Sequence, residues 1–178
     1  MPLLVQSKGG AGTGTSLSLT LAAGTTAGNC LAVATGTGAS AVRTVSGITL
    51  GGAAGNFALA FGFTESSTDA IRCEIWTDQN CAGAQTAVVI TYSGSALACG
   101  GWAEEWSGIL TAAAVDKTNG AGTTATTWTS GATGVLTQPS EVVLGAVYAF
   151  SGSAPTITPP GSPWTNLGPE SGSGGTLQ

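Results

Sequence analysis

Apolar and polar residues alternate with a period of two through most of the first two thirds of the chain. Residues 16–21 place Leu17, Leu19 and Leu21 on one face and Ser16, Ser18 and Thr20 on the other, the pattern of a half-buried strand. Residues 30–35 predict a second strand, stopped by Gly36 and Gly38. A third lies in 41–50, where Val42, Val45 and Ile48 bend around Gly47, and Gly51-Gly52 then turns the chain. Phe57, Leu59, Phe61 and Phe63 share one face of the next strand. Residues 71–77 follow, then a loop over 78–85, then a run at 86–92 rich in β-branched residues, which suit a pleated surface. Ser93-Gly94 predicts a turn, and 96–109 another strand carrying Cys99, Trp102 and Trp106. A Thr-rich strand is expected at 123–129 around Trp128, and 141–150, the most apolar run, reads as a central strand. Pro155, Pro159, Pro160 and Pro163 interrupt pairing beyond it. No stretch sustains a 3.6-residue period with caps. Eight to ten short strands with little or no helix predict an all-β, antiparallel sandwich or barrel.

The expected organisation is an N-terminal arm or first strand with a Gly-rich hinge over 1–15, a sandwich domain over 16–168, and a flexible Gly/Ser tail over 169–178. With 178 residues, one domain with a sizeable core is the natural reading.

Composition narrows the function classes. Charged residues make up only 7%, against about 25% in ordinary soluble proteins. The surface therefore has to be built from Thr, Ser, Gly and Ala, which suits a chain that works inside an assembly or outside a cell. The four basic residues Lys8, Arg43, Arg72 and Lys117 are scattered over a chain of net charge −5. They cannot neutralise a run of phosphates or a lipid surface, so neither nucleic acid nor membrane is an expected partner. No apolar run is long enough to span a bilayer. Met1 to Lys8 lack the basic and apolar regions of a secretion signal, and the expectation is folding in a cytoplasm.

Candidate chemistry is sparse. The chain has no histidine, which removes the usual base of Ser and Cys nucleophiles and His-ligated metal sites. Glu104 and Glu105 are adjacent, so on a strand they face opposite ways and cannot converge as an acid/base pair; one solvated and one hydrogen-bonded carboxylate is expected. The Gly-rich run at 8–16 lacks G-K-[ST] and G-x-G-x-x-G spacing and reads as a hinge, not a phosphate cradle. Acidic residues are too few for an evident calcium loop. No enzyme activity, cofactor or metal is expected. Cys30, Cys73, Cys81 and Cys99 show no C-x-x-C spacing and read as buried free thiols; Cys73 and Cys81, nearest in sequence, are the candidate pair if a bridge forms. Trp76, Trp102, Trp128 and Trp164 are candidates for a contact surface, toward a neighbouring subunit or a glycan.

Four stretches together resemble a family of jelly-roll domains found in phage structural proteins and some bacterial extracellular proteins. They are Gly28-Asn29-Cys30-Leu31-Ala32-Val33-Ala34, the run from Arg72 to Asn80, the run from Thr86 to Gly94, and Glu105-Trp106-Ser107-Gly108. Pro163-Trp164-Thr165 is similar to a later turn of that family. The resemblance spans 16–165 and implies a jelly-roll sandwich used at a particle surface, with no catalytic residues. The expected role is a virion structural protein: a capsid decoration or cement subunit, or a minor tail component. Its partners would be the major capsid protein or neighbouring copies in a homo-oligomer, and it would be assembled in the host cytoplasm and exposed on the virion exterior. The alternative is a carbohydrate-binding module. The family continues with further strands after the W-T turn, which leaves an edge for a neighbour or for residues 2–7 to complete.

Overall fold

The computed structural model describes residues 1–65, 70–151, 155–172 and 174–178. Its strands are β1 (Leu3–Thr20), β2 (Cys30–Gly38), β3 (Val45–Leu50), β4 (Ala53–Ala54), β5 (Ala58–Glu65), β6 (Ile71–Asp78), β7 (Ala87–Ser107), β8 (Tyr148–Phe150), β9 (Glu170–Gly172) and β10 (Gly175–Leu177). No helix is present among the described residues, and every strand pairing is antiparallel. The all-β reading holds.

Seven strands form one sheet in the order β4-β3-β7-β2-β6-β5, with β1 on the other edge of β7. β7 is its spine. β1 runs along one edge from Leu3↔Ser107 to Thr20↔Ala87. The other edge is taken first by β2, Cys30↔Trp106 to Gly38↔Ala98, and then by β3, Val45↔Tyr92 to Leu50↔Val88. All three passes bend at the same level. β1 does so at Gly14, whose φ of +104° is open to glycine but strained for other residues. β7 takes eight steps, 99 to 91, where β1 takes four, 12 to 16, and the surplus falls around Ser93-Gly94. The two strands expected at 86–92 and 96–109 are thus one strand with an excursion at the predicted turn.

The bend curls the sheet into a half-barrel whose two halves face one another across a shared core. Leu17, Leu19, Leu21, Ile48, Leu50, Val88 and Ile90 from one half pack with Leu31, Val33, Cys99 and Ala103 from the other. The halves approach closely: a Cβ on Gly101 would lie 2.9 Å from Leu17 Cδ2 and 3.1 Å from Ile90 Cδ1. Polar ties cross the same gap. The Tyr92 hydroxyl meets Thr35 Oγ1 at 2.8 Å, and Val45 N–H donates to Glu74 Oε2 at 3.3 Å. Burial of large side chains here at roughly 25 cal/mol per Å² is the main stabilising term.

The outer face carries a second, three-stranded sheet in the order β8-β10-β9. Its contact is built on missing side chains. The Tyr148 ring occupies the space a Cβ on Gly36 would need, and Leu177 Cβ lies 2.8 Å from where one on Gly100 would sit.

The structure differs from the sequence reading in five places. Phe57, Leu59, Phe61 and Phe63 do not share one face: β5 shifts register between Leu59, opposite Trp76, and Phe61, opposite Ile75, so these two face opposite sides. Of the arm or first strand with a Gly-rich hinge read over 1–15, the first strand is what forms: from Leu3 onward these residues are the first half of β1, paired with β7 with register shifts at Leu4/Gln6 and around Gly14, and the Gly-rich run lies within the strand. Residues 123–129 form no strand and are exposed; Trp128 is their one large apolar side chain, too little to bury an alternating face. Of 141–150, only Tyr148–Phe150 is strand, and it lies in the small sheet rather than at the centre. The tail expected to be mobile over 169–178 supplies β9 and β10, because Leu177, fully buried, has the Gly100 floor to pack on.

Candidate functional site

Alternation along β7 sends neighbouring carboxylates to opposite faces. Glu105 points inward and is fully buried. Its Oε2 accepts from Gln6 Nε2 at 2.6 Å, and its Oε1 accepts from Thr26 N–H at 2.8 Å and Asn29 Nδ2 at 2.6 Å. Burial opposes its ionisation, but these donors outweigh burial and hold the carboxyl below its ordinary range. The group ties β1, the 21–29 connection and β7 together, fully buried with three donors on its two oxygens. Glu74 is a second buried carboxylate, held by Arg72 Nε at 2.6 Å and Trp76 Nε1 at 2.7 Å. Both are structural.

Glu104 points outward, and there the picture changes. Burial pushes its carboxyl above the ordinary range, partly offset by Trp106 Nε1, which donates at 3.0 Å. Trp102, Glu104 and Trp106 form one row at two-residue spacing on the outer face. Across the sheet, Trp102 pairs with Gly9 and Ala34, and Glu104 with Ser7 and Ala32. Ala34 in turn faces Ile75, and Ala32 faces Thr77. The row therefore stands over small alanines, next to a side wall made by β6. From the small sheet, the Glu170 side chain sits over Gly9, directly across from Trp102.

The four tryptophans singled out in the sequence do not share a surface. Trp76 faces inward, packs against the core and donates to Glu74. Trp102 lies on the outer face. Trp128, 44% exposed, lines a shallow cleft of about 580 Å³ with Pro155, Ile157, Pro159 and Pro160. Trp164, 46% exposed, stands in the irregular stretch after it. Trp106 was absent from that set, although its spacing of four from Trp102 on an alternating strand already put both on one face.

All four cysteines are free. Cys73 sits mid-strand on the outer face opposite Gly36 and Phe63, whereas Cys81 lies in the inner core with its thiol donating to Thr26 O; the candidate Cys73–Cys81 bridge is not formed. Burial pushes the thiols of Cys30 and Cys81 up to about 11 and that of Cys73 up to about 12, so none is a ready nucleophile. Among the described residues, no group of three or more His, Cys, Asp or Glu is placed to hold a metal ion. No helix among them is long and apolar enough to cross a membrane. Comparison with protein-family models, curated proteins and solved structures finds no match for this chain.

Proposed function

We propose that this protein is a non-enzymatic structural subunit that acts through contacts with other chains, as a jelly-roll-type component of a phage particle surface, either a capsid decoration or cement subunit or a minor tail protein. One observation carries this reading. Residues 108–147 hold no strand or helix, yet they bear Leu110 (65% exposed), Val135 (88%) and Val143 (49%). Only Asp116, Lys117 and Glu141 are ionic in that stretch. A long irregular segment with bare apolar side chains and almost no charge gains little in water and much against a neighbour. The sparse charge of the whole chain and the jelly-roll resemblance support the same reading.

Light scattering on the purified chain tests the first half of this, and negative-stain imaging tests the second. The expected results are a multi-copy species, with slowed amide exchange in 108–147 on association, and regular particles or rings. A chain that stays monomeric at high concentration, with 108–147 exchanging freely throughout, overturns the proposal.

A further inference from the structure

The outer row of β7 has two neighbours whose polar atoms lack partners. Thr77 is 8% exposed, and its Oγ1 makes no hydrogen bond; the Trp102 indole Nε1 is likewise buried and unpaired. The register puts both on the face that carries Glu104, with only Ala32 and Ala34 between them on β2. A buried orphan polar atom costs about 1–3 kcal/mol, and two on one face, beside a half-buried carboxylate and two indole rings, need an account. The groups present define what would pair them. An indole N–H asks for an acceptor, a carboxylate for donors, and a threonine hydroxyl takes either. The rings offer flat apolar area. No cation stands on this part of the face: Lys8 and Arg72 pair with Ala103 and Thr37, residues of the opposite side. A phosphate or sulfate would meet Glu104 and Glu170 without a counter-charge. An uncharged ring that bears both donors and acceptors on an apolar body fits all of these demands.

We propose that the outer face of the curled sheet binds a neutral sugar, with Trp102 and Trp106 as the stacking surface and Glu104 as its accessible hydrogen-bonding group, while Thr77 Oγ1 and Trp102 Nε1, buried in the free protein, gain their partners when binding uncovers them. The site is built on the curled sheet and not on 108–147, so it stands or falls separately from the assembly reading.

Intrinsic tryptophan fluorescence, titrated with maltotetraose, cellotetraose and chitotetraose, tests it. At least one sugar is expected to give a saturable change. Trp102→Phe keeps an aromatic ring, smaller than indole, but loses the N–H, and Glu104→Gln loses the strong acceptor; each is expected to weaken binding about tenfold, the scale of one good hydrogen bond. Trp128→Ala, in the separate cleft, should leave affinity unchanged. Circular dichroism and thermal unfolding confirm that each variant is folded. No saturable change with any of the three sugars overturns the proposal and leaves ordered water as the partner of both atoms. Binding that survives Trp102→Phe and Glu104→Gln but is lost in Trp128→Ala overturns it too, by moving the site.

Discussion

Residues 3–107 and residues 108–178 are built from the same uncharged, glycine-rich alphabet, yet they reach opposite outcomes. In the first region, long strands pair nearly end to end and enclose a core in which Leu19, Leu31, Val33, Val88 and Ile90 are at most 1% exposed. Among the described residues of the second, three strands of three residues each stand amid irregular chain, and Val135 is 88% exposed. Hydrophobicity alone does not separate them. What differs is sustained alternation: Leu17, Leu19 and Leu21 give the sheet a face to bury, whereas the apolar residues of 141–147 follow one another without a polar face to leave in water. The second region folds only where the first provides a floor of missing side chains.

The largest expected break in this contrast is Leu19→Ala. It removes a core side chain where the two halves of the sheet meet, and should cost about 2–5 kcal/mol in urea unfolding. A loss under 1 kcal/mol would mean that the two halves of the half-barrel do not share a packed core. Next comes Glu105→Gln, expected to cost about 2 kcal/mol, because three donors lose an ionised acceptor. Its pH dependence carries a sign. A carboxyl held low in the folded state contributes stability that is complete above its unfolded pKa and is lost as pH falls through the folded one. Glu104 is raised, so it penalises folding as pH climbs past its unfolded pKa and ceases to do so in acid. Stability measured from neutral to acid pH should therefore show Glu105→Gln flattening the acid loss. Glu104→Gln should be neutral to stabilising at pH 7, and the reverse pattern would contradict the facing of the two residues.

Gly36→Ala acts on the second region alone. The new methyl meets the Tyr148 ring, and overpacking of this kind costs about 1–3 kcal/mol. Amide exchange should quicken at 148–150 and 175–177 while β2 and β7 stay protected; uniform loss of protection would show one cooperative unit rather than two. The smallest effect on stability belongs to Val135→Ser, within about 0.5 kcal/mol for so exposed a side chain. Light scattering should nonetheless show weaker association, and unchanged association would remove Val135 from the contact surface.

The legible part of the fold follows the same division. The strands at 16–21, 30–35 and 71–77 are readable because their large side chains alternate; at 57–63 the strand is readable but its facing is not, because the bulge between Leu59 and Phe61 reverses the alternation. The first half of β1 is legible only as an arm or first strand with a hinge, since Gly9, Gly10, Gly12 and Gly14 carry no side chain to show a period and glycine runs ordinarily mark hinges. The same blankness hid β9 and β10, whose burial depends on Gly100, a residue more than sixty positions away. Of the outer row, the sequence showed the opposite facing of Glu104 and Glu105 and the shared face of Trp102 and Trp106. Thr77 could not be read as their neighbour, because the order β7-β2-β6 is a tertiary fact.

The pairing of Leu3 with Ser107 fixes how the molecule must come into being. The β1 edge of β7 is not complete until Leu3 has been brought back to Ser107, and even the β2 and β3 edge joins residues such as Cys30 and Trp106 far apart in the chain, loop closures that chain entropy opposes and that local contacts do little to reward. Refolding is expected on the scale of milliseconds to seconds rather than microseconds. Throughout that interval the sparsely charged edges of β1 and β7 lie open to any other nascent chain, so crowding during synthesis selects between the native ladder and entanglement with a sibling.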